Sequence, residues 1–248
     1  MDQNKISNNL RVSLVIPAYN EEKYIGKCLQ AVIDSGAKFF EIIVIDNASK
    51  DRTGEIARGF TAHGVRVVRE ENKGLTMARQ RGYIESKGEI IANIDADTLM
   101  PHGWYEKIQN IFKKRDDIVC VSGPYIYFDI SKLKQFLIKY FYWYLVALPM
   151  YYLVGYMVVG GNFAIRRSVL DKMEGFDTRI SFYGEDTNIA RRASKFGRVL
   201  FIPNFTILTS GRRFEKQGFT VTGLLYMKNF LSEAFLSKPA TKVYKDCR

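Results

Sequence analysis

Histidine and cysteine are scarce in this sequence, and their scarcity excludes several kinds of site. The 248 residues include two histidines, His63 and His102, and three cysteines, Cys28, Cys120 and Cys247. Two histidines cannot build a histidine-rich metal centre. Three widely spaced cysteines without a CxxC pair argue against a structural zinc site or a disulfide framework. The cysteine pattern is typical of a reducing compartment, so we expect a cytoplasmic protein.

Leader, nucleotide-binding and nucleic-acid-binding motifs are also missing. Residues 1–9 are polar and lack the apolar core of a secretion signal. No GxGxxG follows the first predicted strand and no GxxxxGKS or GxxxxGKT occurs, which speaks against a dinucleotide-binding domain and a P-loop nucleotidase. No helix-turn-helix, zinc-finger or RNP motif is present, so nucleic acid is not an expected partner.

Acidic residues are outnumbered by basic ones. The sequence has 37 Lys and Arg against 26 Asp and Glu, a formal net charge of +11. A basic balance suits an anionic partner, whether nucleic acid, an anionic membrane surface or a phosphorylated substrate, and does not choose among them. A merely soluble basic surface is the alternative interpretation.

Apolar runs rich in β-branched residues alternate with helical patterns in the first half of the chain. The runs at 12–17, 41–46, 65–68 and 90–94 predict buried strands with helices between them. This alternation predicts an α/β fold with a doubly wound, mainly parallel sheet flanked by helices.

The C-terminal region has a different pattern. We expect a C-terminal amphipathic helix and tail over residues 216–248, packed on the domain or on a membrane. The apolar stripe of that helix consists of Val221, Leu224, Leu225, Leu231 and Phe235, with Lys228 as a basic interruption.

Two aspartates one residue apart follow the fourth predicted strand. Asp95 and Asp97 can share a face if strand geometry continues that far, since side chains alternate along a strand. Two carboxylates on one face repel each other unless a cation lies beside them, and oxygen ligands suit Mg²⁺ or Mn²⁺. The alternative is a helix N-terminus, in which Asp97 and Thr98 cap a helix that starts near Pro101.

Polar side chains follow several strands at the same edge of the predicted sheet. Tyr19, Asp46 and Asp97 each come just after a strand, where open α/β sheets bind ligands. Helix N-termini and turn amides at that edge attract phosphate. An anion with a sugar or base attached would fit there.

Four motifs together resemble the family 2 glycosyltransferases with the GT-A fold. They are Val15 to Glu21, Ile45 to Asp51, Asn72 to Gly74 with Ala78 and Arg79, and Asp95 to Asp97. The resemblance implies a mixed, mainly parallel sheet in one domain over 10–215, with a nucleotide-sugar-binding half (10–100) and an acceptor half (101–215). It also implies a nucleotide-sugar site made by Pro17, Ala18, Tyr19, Glu21, Asp46, Arg79, Asp95 and Asp97. Asp97, helped by Asp95, would bind Mn²⁺ or Mg²⁺.

The second half of the chain supports the same resemblance. Gly161 and Asn162 open a predicted strand, and Glu185 and Asp186 open a predicted helix. In the family the Glu-Asp pair lies beside the acceptor, and the resemblance also places Gly161 and Asn162 on the acceptor or phosphate side. The resemblance thus implies that Asp186 is the general base and that the anomeric carbon inverts. A charge pair that only stabilises a helix N-terminus is the alternative.

Arg212 and Arg213 lie where some family members place a metal-binding histidine. No histidine occurs there, which leaves the third protein ligand of the metal open. Arginine forks suit phosphate oxygens, so these side chains are candidates for the diphosphate or an acidic acceptor. A solvated basic turn is the alternative.

A long apolar and aromatic stretch runs from Phe136 to Val159, with Lys139 as its charged residue. Three interpretations stay open: a helix on a membrane surface, a soluble helix that covers the acceptor side, and a true membrane span. Lys132, Lys134 and Lys139 could meet anionic headgroups. Our hypothesis is peripheral contact with the cytoplasmic face of a membrane.

These observations predict transfer of a sugar from a nucleotide-diphosphate sugar to the hydroxyl of a glycan or lipid-linked acceptor. One alternative is a polyprenyl-phosphate sugar synthase, whose acceptor is a lipid phosphate. Another is a non-catalytic module that binds nucleotide sugars or nucleic acid.

Overall fold

The computed structural model describes residues 9–180, 183–236, 240 and 241. The first half alternates strands and helices as the sequence predicts. Its elements are β1 Val12–Ala18, α1 Ile25–Asp34, β2 Glu41–Asn47, α2 Thr53–Arg58, a 3₁₀ turn Thr61–His63, β3 Val65–Glu70, α3 Leu75–Glu85 and β4 Ile90–Ile94.

The second half adds shorter strands and most of the helical residues. Its elements are β5 Thr98–Leu99, α4 Trp104–Lys114, β6 Ile118–Ser122, β7 Tyr125–Tyr127, α5 Lys132–Phe136, a π-helix Leu137–Ala147, α6 Leu148–Val154, β8 Asn162–Arg166, α7 Arg167–Lys172, α8 Glu185–Ala193, β9 Arg198–Phe201, β10 Ile207–Thr209, α9 Arg212–Gln217 and α10 Phe219–Leu236. Val158 and Val159 precede β8 and are not part of that strand.

Seven strands form one central sheet in the order β3-β2-β1-β4-β8-β6-β9. The pairs β1–β2, β1–β4, β2–β3 and β6–β9 are parallel, whereas β8 runs antiparallel to both β4 and β6. The sheet is therefore mixed and mainly parallel, which confirms the predicted fold class. A small second sheet, β5-β10-β7, places the C-terminal end of β10 beside the start of β5, a few residues after β4 ends.

Side chains alternate between two cores on the faces of the central sheet. Leu14 and Ile16 belong to one core, and Val15 between them belongs to the other, as the period of a strand requires. On the second face α3 lies very close to the sheet. A side chain at Gly82 would overlap Val15, so glycine at this position permits the close packing.

The apolar stretch forms one continuous helical segment, Lys132–Val154, which we call the aromatic helix. One of its faces is buried: Ile138, Trp143 and Ala147 pack in a cluster with Phe201. Among the described residues it is the one helix long and apolar enough to cross a membrane, judged by length and composition. The buried face fits the interpretation of a helix that covers one side of the domain.

The C-terminal helix α10 lies where a helix was expected, but its buried face is polar. Thr222, Asn229 and Glu233 are buried, whereas Val221 and Leu224 are exposed. Glu233 accepts hydrogen bonds from Asn188 and Arg191 on α8, both at 2.9 Å. The stripe was expected to pack on the domain or on a membrane. Val221 and Leu224 do not pack on the domain, because the buried hydrogen bonds with α8 set which face turns inward.

Asn162 fixes the start of β8 by a set of buried hydrogen bonds. Its side-chain amide donates to the carbonyls of Gly123 (2.9 Å) and Phe205 (2.7 Å), and its side-chain oxygen accepts from the indole of Trp104 (2.9 Å). The residue is fully buried. Asn162 was expected on the acceptor or phosphate side, but its polar atoms bond to the fold interior.

We expect Asn162→Ala to lower the free energy of unfolding by about 3 kcal/mol, because three buried partners lose their hydrogen bonds. Urea unfolding followed by circular dichroism measures this change. Asn110→Ala, at an exposed position of α4, is the matched control and should stay near wild type. Equal stability of the two variants would contradict the structural role of Asn162.

Candidate active site

A cavity of about 680 Å³ lies beside the carboxyl ends of β1 and β4. Its lining has two parts. The polar wall consists of Glu21, Arg79, Asp95, Asp97, Glu185, Asp186, Arg212 and Arg213. The apolar wall comes from the aromatic helix and α10, and includes Leu137, Phe141, Val146, Met150, Leu224 and Met227.

Arg212 joins two carboxylates that are far apart in sequence. Its guanidinium donates to both carboxylate oxygens of Glu21, at 2.7 and 2.5 Å, and lies 3.0 Å from an Asp97 oxygen. Glu21 is 4% exposed. This geometry excludes the solvated basic turn for Arg212 and ties the β1–α1 loop to the end of β4.

The Asp97 side chain is 13% exposed and lies beside other acidic groups, and its pKa is shifted accordingly. Desolvation raises the pKa of Asp97 to about 7, with Arg212 opposing the shift and Asp95 and Glu21 adding to it. A carboxylate in this setting favours either a proton or a nearby cation. The site therefore attracts positive charge.

Asp95 points to a different set of partners. Tyr125 donates its hydroxyl hydrogen to Asp95 at 2.9 Å and accepts one from the Gly161 amide at 2.7 Å. A side chain at Gly161 would overlap the Asp95 carboxylate. Glycine at 161 therefore lets the start of β8 approach Asp95.

The two aspartates do not share a strand face. β4 ends at Ile94, before either aspartate, and the next helix begins at Trp104 with Gly103 as its N-cap. The helix-cap interpretation of Asp97 is therefore wrong. Asp95 and Asp97 both line the cavity because the chain turns between β4 and β5.

Arg79 is a buried cation at the centre of the polar wall. It is 2% exposed, donates to the Gly160 carbonyl at 2.7 Å, and lies 3.7 Å from Asp95 and 3.6 Å from Glu185. It links α3, the end of β4 and the start of α8. Its predicted contact with nucleotide or phosphate stays a prediction.

Glu185 and Asp186 form the first turn of α8, after Gly184 in a left-handed conformation (φ 87°). Burial and the neighbouring Asp186 raise the pKa of Glu185 to about 8, against a lowering effect of Arg79. Burial also raises the pKa of Asp186, whose carboxylate accepts the Thr187 amide at 2.8 Å. Both side chains therefore hold protons more tightly than exposed carboxylates.

The structure divides the remaining predicted nucleotide-site residues. Pro17 and Tyr19 line the cavity. Ala18 is buried in the core. Asp46 is buried and does not line the cavity, and its carboxylate lies 2.9 Å from Arg69. Arg69 is therefore a partner of Asp46 that the sequence analysis missed.

Tyr125 and Tyr142 are further cavity residues that no sequence motif indicated. Tyr125 lies on the short strand β7, and Tyr142 lies inside the aromatic helix. Burial, followed by the charge of Asp95, raises the pKa of Tyr125 well above its usual value. Tyr125 thus remains a proton donor to Asp95.

A family model for glycosyl transferase family 2 matches residues 13–174, which hold most of these side chains. The chain belongs to glycosyltransferase family 2. The match confirms the resemblance seen in the four motifs.

Curated relatives of this family 2 chain are similar over part of their length. Glycosyltransferase GlyG of Streptococcus pneumoniae is 32% identical over 119 residues, which cover 47% of this chain and 40% of the relative. An undecaprenyl-phosphate 4-deoxy-4-formamido-L-arabinose transferase of Shewanella sediminis is 33% identical over 113 residues, 43% of this chain and 33% of the relative. The chain thus matches less than half the length of either relative.

Solved structures show that the fold is GT-A. A mannosyltransferase from Pyrobaculum calidifontis, in complex with GDP-mannose and Mn²⁺, superposes with a TM-score of 0.66 at 20% identity. The aligned region covers 93% of this chain and 64% of the mannosyltransferase chain. Glucosyl-3-phosphoglycerate synthase from Mycobacterium tuberculosis, in complex with Mn²⁺, UDP-glucose and phosphoglyceric acid, has a TM-score of 0.62 at 21% identity. The aligned region covers 91% of this chain and 80% of the synthase chain.

Asp97 and Asp95 are the residues of this family 2 chain that suit a divalent cation. Within the described residues, no three His, Cys, Asp or Glu side chains form a ready-made metal cluster. Mg²⁺ usually binds one or two carboxylates and takes its other ligands from water and substrate phosphates. The two aspartates fit a cation of that kind, with no third protein ligand required.

The raised pKa of Glu185 makes stability depend on pH in a defined direction. Its folded pKa of about 8 exceeds the ordinary 4.5. The stabilising contribution is therefore complete below pH 4.5 and is lost as the pH rises through about 8. We expect the melting temperature of Glu185→Gln to fall less than that of wild type between about pH 5 and about pH 9. Differential scanning fluorimetry measures this.

Glu106→Gln, at an exposed position of α4, is the matched control for this measurement and should follow the wild-type curve. If the Glu185→Gln curve also follows the wild type, then Glu185 does not retain its proton in the folded state.

Proposed function

We propose that this protein transfers a sugar from a nucleotide-diphosphate sugar to a hydroxyl acceptor, with Mn²⁺ or Mg²⁺ and with inversion at the anomeric carbon. The observation that carries the proposal is the polar wall, where Asp95, Asp97 and Asp186 face one cavity in a family 2 chain. The nucleotide sugars and Mn²⁺ named for the two structural neighbours support it.

The donor would lie along the polar wall, with its nucleotide beside Pro17 and Tyr19. The ring of Tyr19 carries the Lys73 ammonium 4.0 Å from its centroid, so an aromatic face and a cation stand together at this end. Asp46 would bind the base or ribose after the Arg69 guanidinium moves away from its carboxylate. The guanidinium groups of Arg212 and Arg213 suit the diphosphate oxygens.

Asp97, with Asp95 beside it, would hold the divalent cation. The cation supplies charge stabilisation to the departing nucleoside diphosphate, a term typically of several kcal/mol. Asp95 is oriented by Tyr125, and Asp97 by Arg212. Both carboxylates are thus positioned before any ligand arrives.

Asp186 would accept the proton of the acceptor hydroxyl. The acceptor oxygen forms a bond to the anomeric carbon as the carbon–oxygen bond to the diphosphate breaks on the opposite face. The proton moves to the Asp186 carboxylate, and the electron pair leaves with the nucleoside diphosphate. The raised pKa of Asp186 supports this role, because burial increases its affinity for a proton.

A polyprenyl-phosphate sugar synthase is the second candidate, supported by the lipid phosphate named for the Shewanella relative and by the apolar wall. A phosphate acceptor is already ionised at neutral pH and needs no general base. We further propose a cytoplasmic location with peripheral membrane contact and a glycan or lipid-linked acceptor. A non-catalytic binding module would bind nucleotide sugars without turning them over, so an assay of nucleotide-sugar turnover separates it from both candidates.

We expect Asp186→Asn to reduce turnover by about 10²–10⁴-fold, because a positioned general base contributes about that much. Donor binding should stay near wild type. A radiolabelled sugar-transfer assay gives turnover, and a nucleotide-sugar thermal shift gives binding.

Asp116→Asn, at a fully exposed carboxylate, is the control for this experiment. Wild-type turnover in Asp186→Asn with a hydroxyl acceptor would remove Asp186 as the base. If Asp186→Asn keeps wild-type turnover with a lipid phosphate acceptor but not with a hydroxyl acceptor, the polyprenyl-phosphate sugar synthase is favoured.

The metal assignment predicts a loss of Mn²⁺-dependent donor binding in Asp97→Asn. For the wild type, UDP- or GDP-sugars at a hundredfold excess over Kd should stabilise the fold by about 2.7 kcal/mol. The part of this shift that requires Mn²⁺ should vanish in the variant. Comparing shifts rather than melting temperatures corrects for any change in stability. A wild-type Mn²⁺-dependent shift in Asp97→Asn would show that the cation is held elsewhere.

A further inference from the structure

We propose that the apolar wall of the cavity binds the hydrocarbon chain of a lipid acceptor, which enters from an anionic membrane surface in contact with the aromatic helix and α10. This inference rests on the proposed sugar transfer and names the chemical class of its acceptor. Five observations support it.

The aromatic helix exposes apolar side chains on the face opposite its buried one. Leu145 is 66% exposed, Tyr152 75% and Leu153 70%. The other exposed apolar residues of this helix are Leu133, Phe136, Leu137, Tyr140, Phe141 and Tyr144. Aromatic rings with polar tips suit the interface between water and lipid.

The second helix at this surface is α10, which turns its polar stripe inward and its apolar stripe outward. Glu233 is fully buried against α8, whereas Leu224 is 72% exposed and Val221 59%. A water-soluble surface helix normally has the opposite arrangement. The arrangement of α10 leaves apolar area that a lipid surface would cover.

The exposed apolar surface continues into the cavity. Leu137, Phe141 and Leu224 are exposed and also line the cavity, so they belong to both surfaces. Further inside, Val146 and Met227 line the same space from the two helices. These residues form an apolar connection along which a hydrocarbon chain would pass from the outer surface into the cavity.

The charge of this region complements an anionic membrane. Lys132, Lys134 and Lys139 are exposed on the aromatic helix, and Lys228 is exposed on α10. No aspartate or glutamate occurs in the sequence between Asp129 and Asp171. Lysines near an anionic leaflet strengthen binding to it, and the aromatic helix contains no acidic side chain that would offset them.

The apolar wall meets the polar wall at Tyr142. This side chain belongs to the aromatic helix and lines the cavity, and burial together with the charge of Asp186 raises its pKa to about 12. A lipid whose chain lies along the apolar wall would therefore present its polar end near Asp186. That end is where the proposed chemistry requires an acceptor.

Trp143 provides a direct test, because it is one of two tryptophans in the chain and it lines the cavity. The other, Trp104, is 1% exposed and stacks on Phe205 in the core. A brominated alkyl phosphate, used below its micelle concentration and without donor, should quench the Trp143 part of the fluorescence. Trp143→Phe should show no quenching. Unquenched wild-type protein would overturn the proposal.

Two variants separate the cavity from the membrane-facing surface. Val146→Asp places a charge inside the cavity and should abolish quenching by the alkyl phosphate; Met227→Gln tests the opposite wall if the first variant fails to fold. Leu153→Asp changes the exposed surface and should keep the quenching but weaken binding to phosphatidylglycerol vesicles. Unchanged quenching in both folded cavity variants would contradict a chain site in the cavity.

Vesicle co-sedimentation tests the charged surface. Replacing Lys132, Lys134 and Lys139 together with glutamine should weaken partition onto phosphatidylglycerol vesicles by about 100-fold, with little effect on phosphatidylcholine vesicles. The control replaces three exposed lysines elsewhere, Lys38, Lys87 and Lys114. Equal partition of the two triple variants would overturn the proposal, and so would retention of the wild type in membranes after salt and carbonate washing, since that indicates a span.

The two levels of proposal fail differently in these experiments. Quenching and vesicle binding are measured without donor, so they do not depend on sugar transfer. Loss of the nucleotide-sugar thermal shift with intact quenching would refute the donor chemistry. An intact shift with no quenching would refute the lipid chain site alone.

Discussion

Repulsion among buried and half-buried carboxylates is the constraint that organises this molecule. Glu21, Asp95, Asp97, Glu185 and Asp186 all line one cavity, and Arg79 and Arg212 lie between them. Removing one partner of a buried pair such as Arg212 and Glu21 would leave an uncompensated charge. Such a loss costs about 3–5 kcal/mol. The positions of α3, α8, α9 and the two strands that supply these groups are therefore coupled through charge as well as through packing. A site held in this way is preorganised for cations and for the phosphate groups that accompany them.

Local patterns in the sequence predicted the parts of the fold that depend on local chemistry. The apolar runs gave the strands β1 to β4 within about two residues, because burial on both faces requires continuous β-branched residues. The spacing of Asp95 and Asp97 pointed to the right edge of the sheet. However, their divergence toward Tyr125 and Arg212 depends on β7 and on the loop after β10, which are distant in sequence. The pairing of Arg212 with Glu21 spans 191 positions, and no periodicity can indicate such a contact. The outward orientation of the apolar side of α10 could not be predicted either, because an apolar stripe alone does not show whether that face is buried or exposed.

The two walls of the cavity place opposite demands on an acceptor. The polar wall suits a charged donor and a metal, whereas the apolar wall suits a chain that avoids water. An amphiphile satisfies both at once, and Tyr142 lies where its two parts would join. The aromatic helix therefore has two roles in one element: its inner face completes the cavity, and its outer face provides an apolar surface. The family 2 domain would thus work at a boundary between water and lipid.

The origin of Arg212 also affects the order in which the site can form during synthesis. Glu21, Asp95 and Asp97 leave the ribosome long before Arg212 and Glu233, which belong to the last fifth of the chain. Domains generally begin to fold from their N-terminal side as they are made. The nascent sheet would therefore carry an unbalanced acidic cluster until β10 and α9 arrive. The synthesis of β10 and α9, rather than the formation of the sheet, would then decide when the polar wall is first complete.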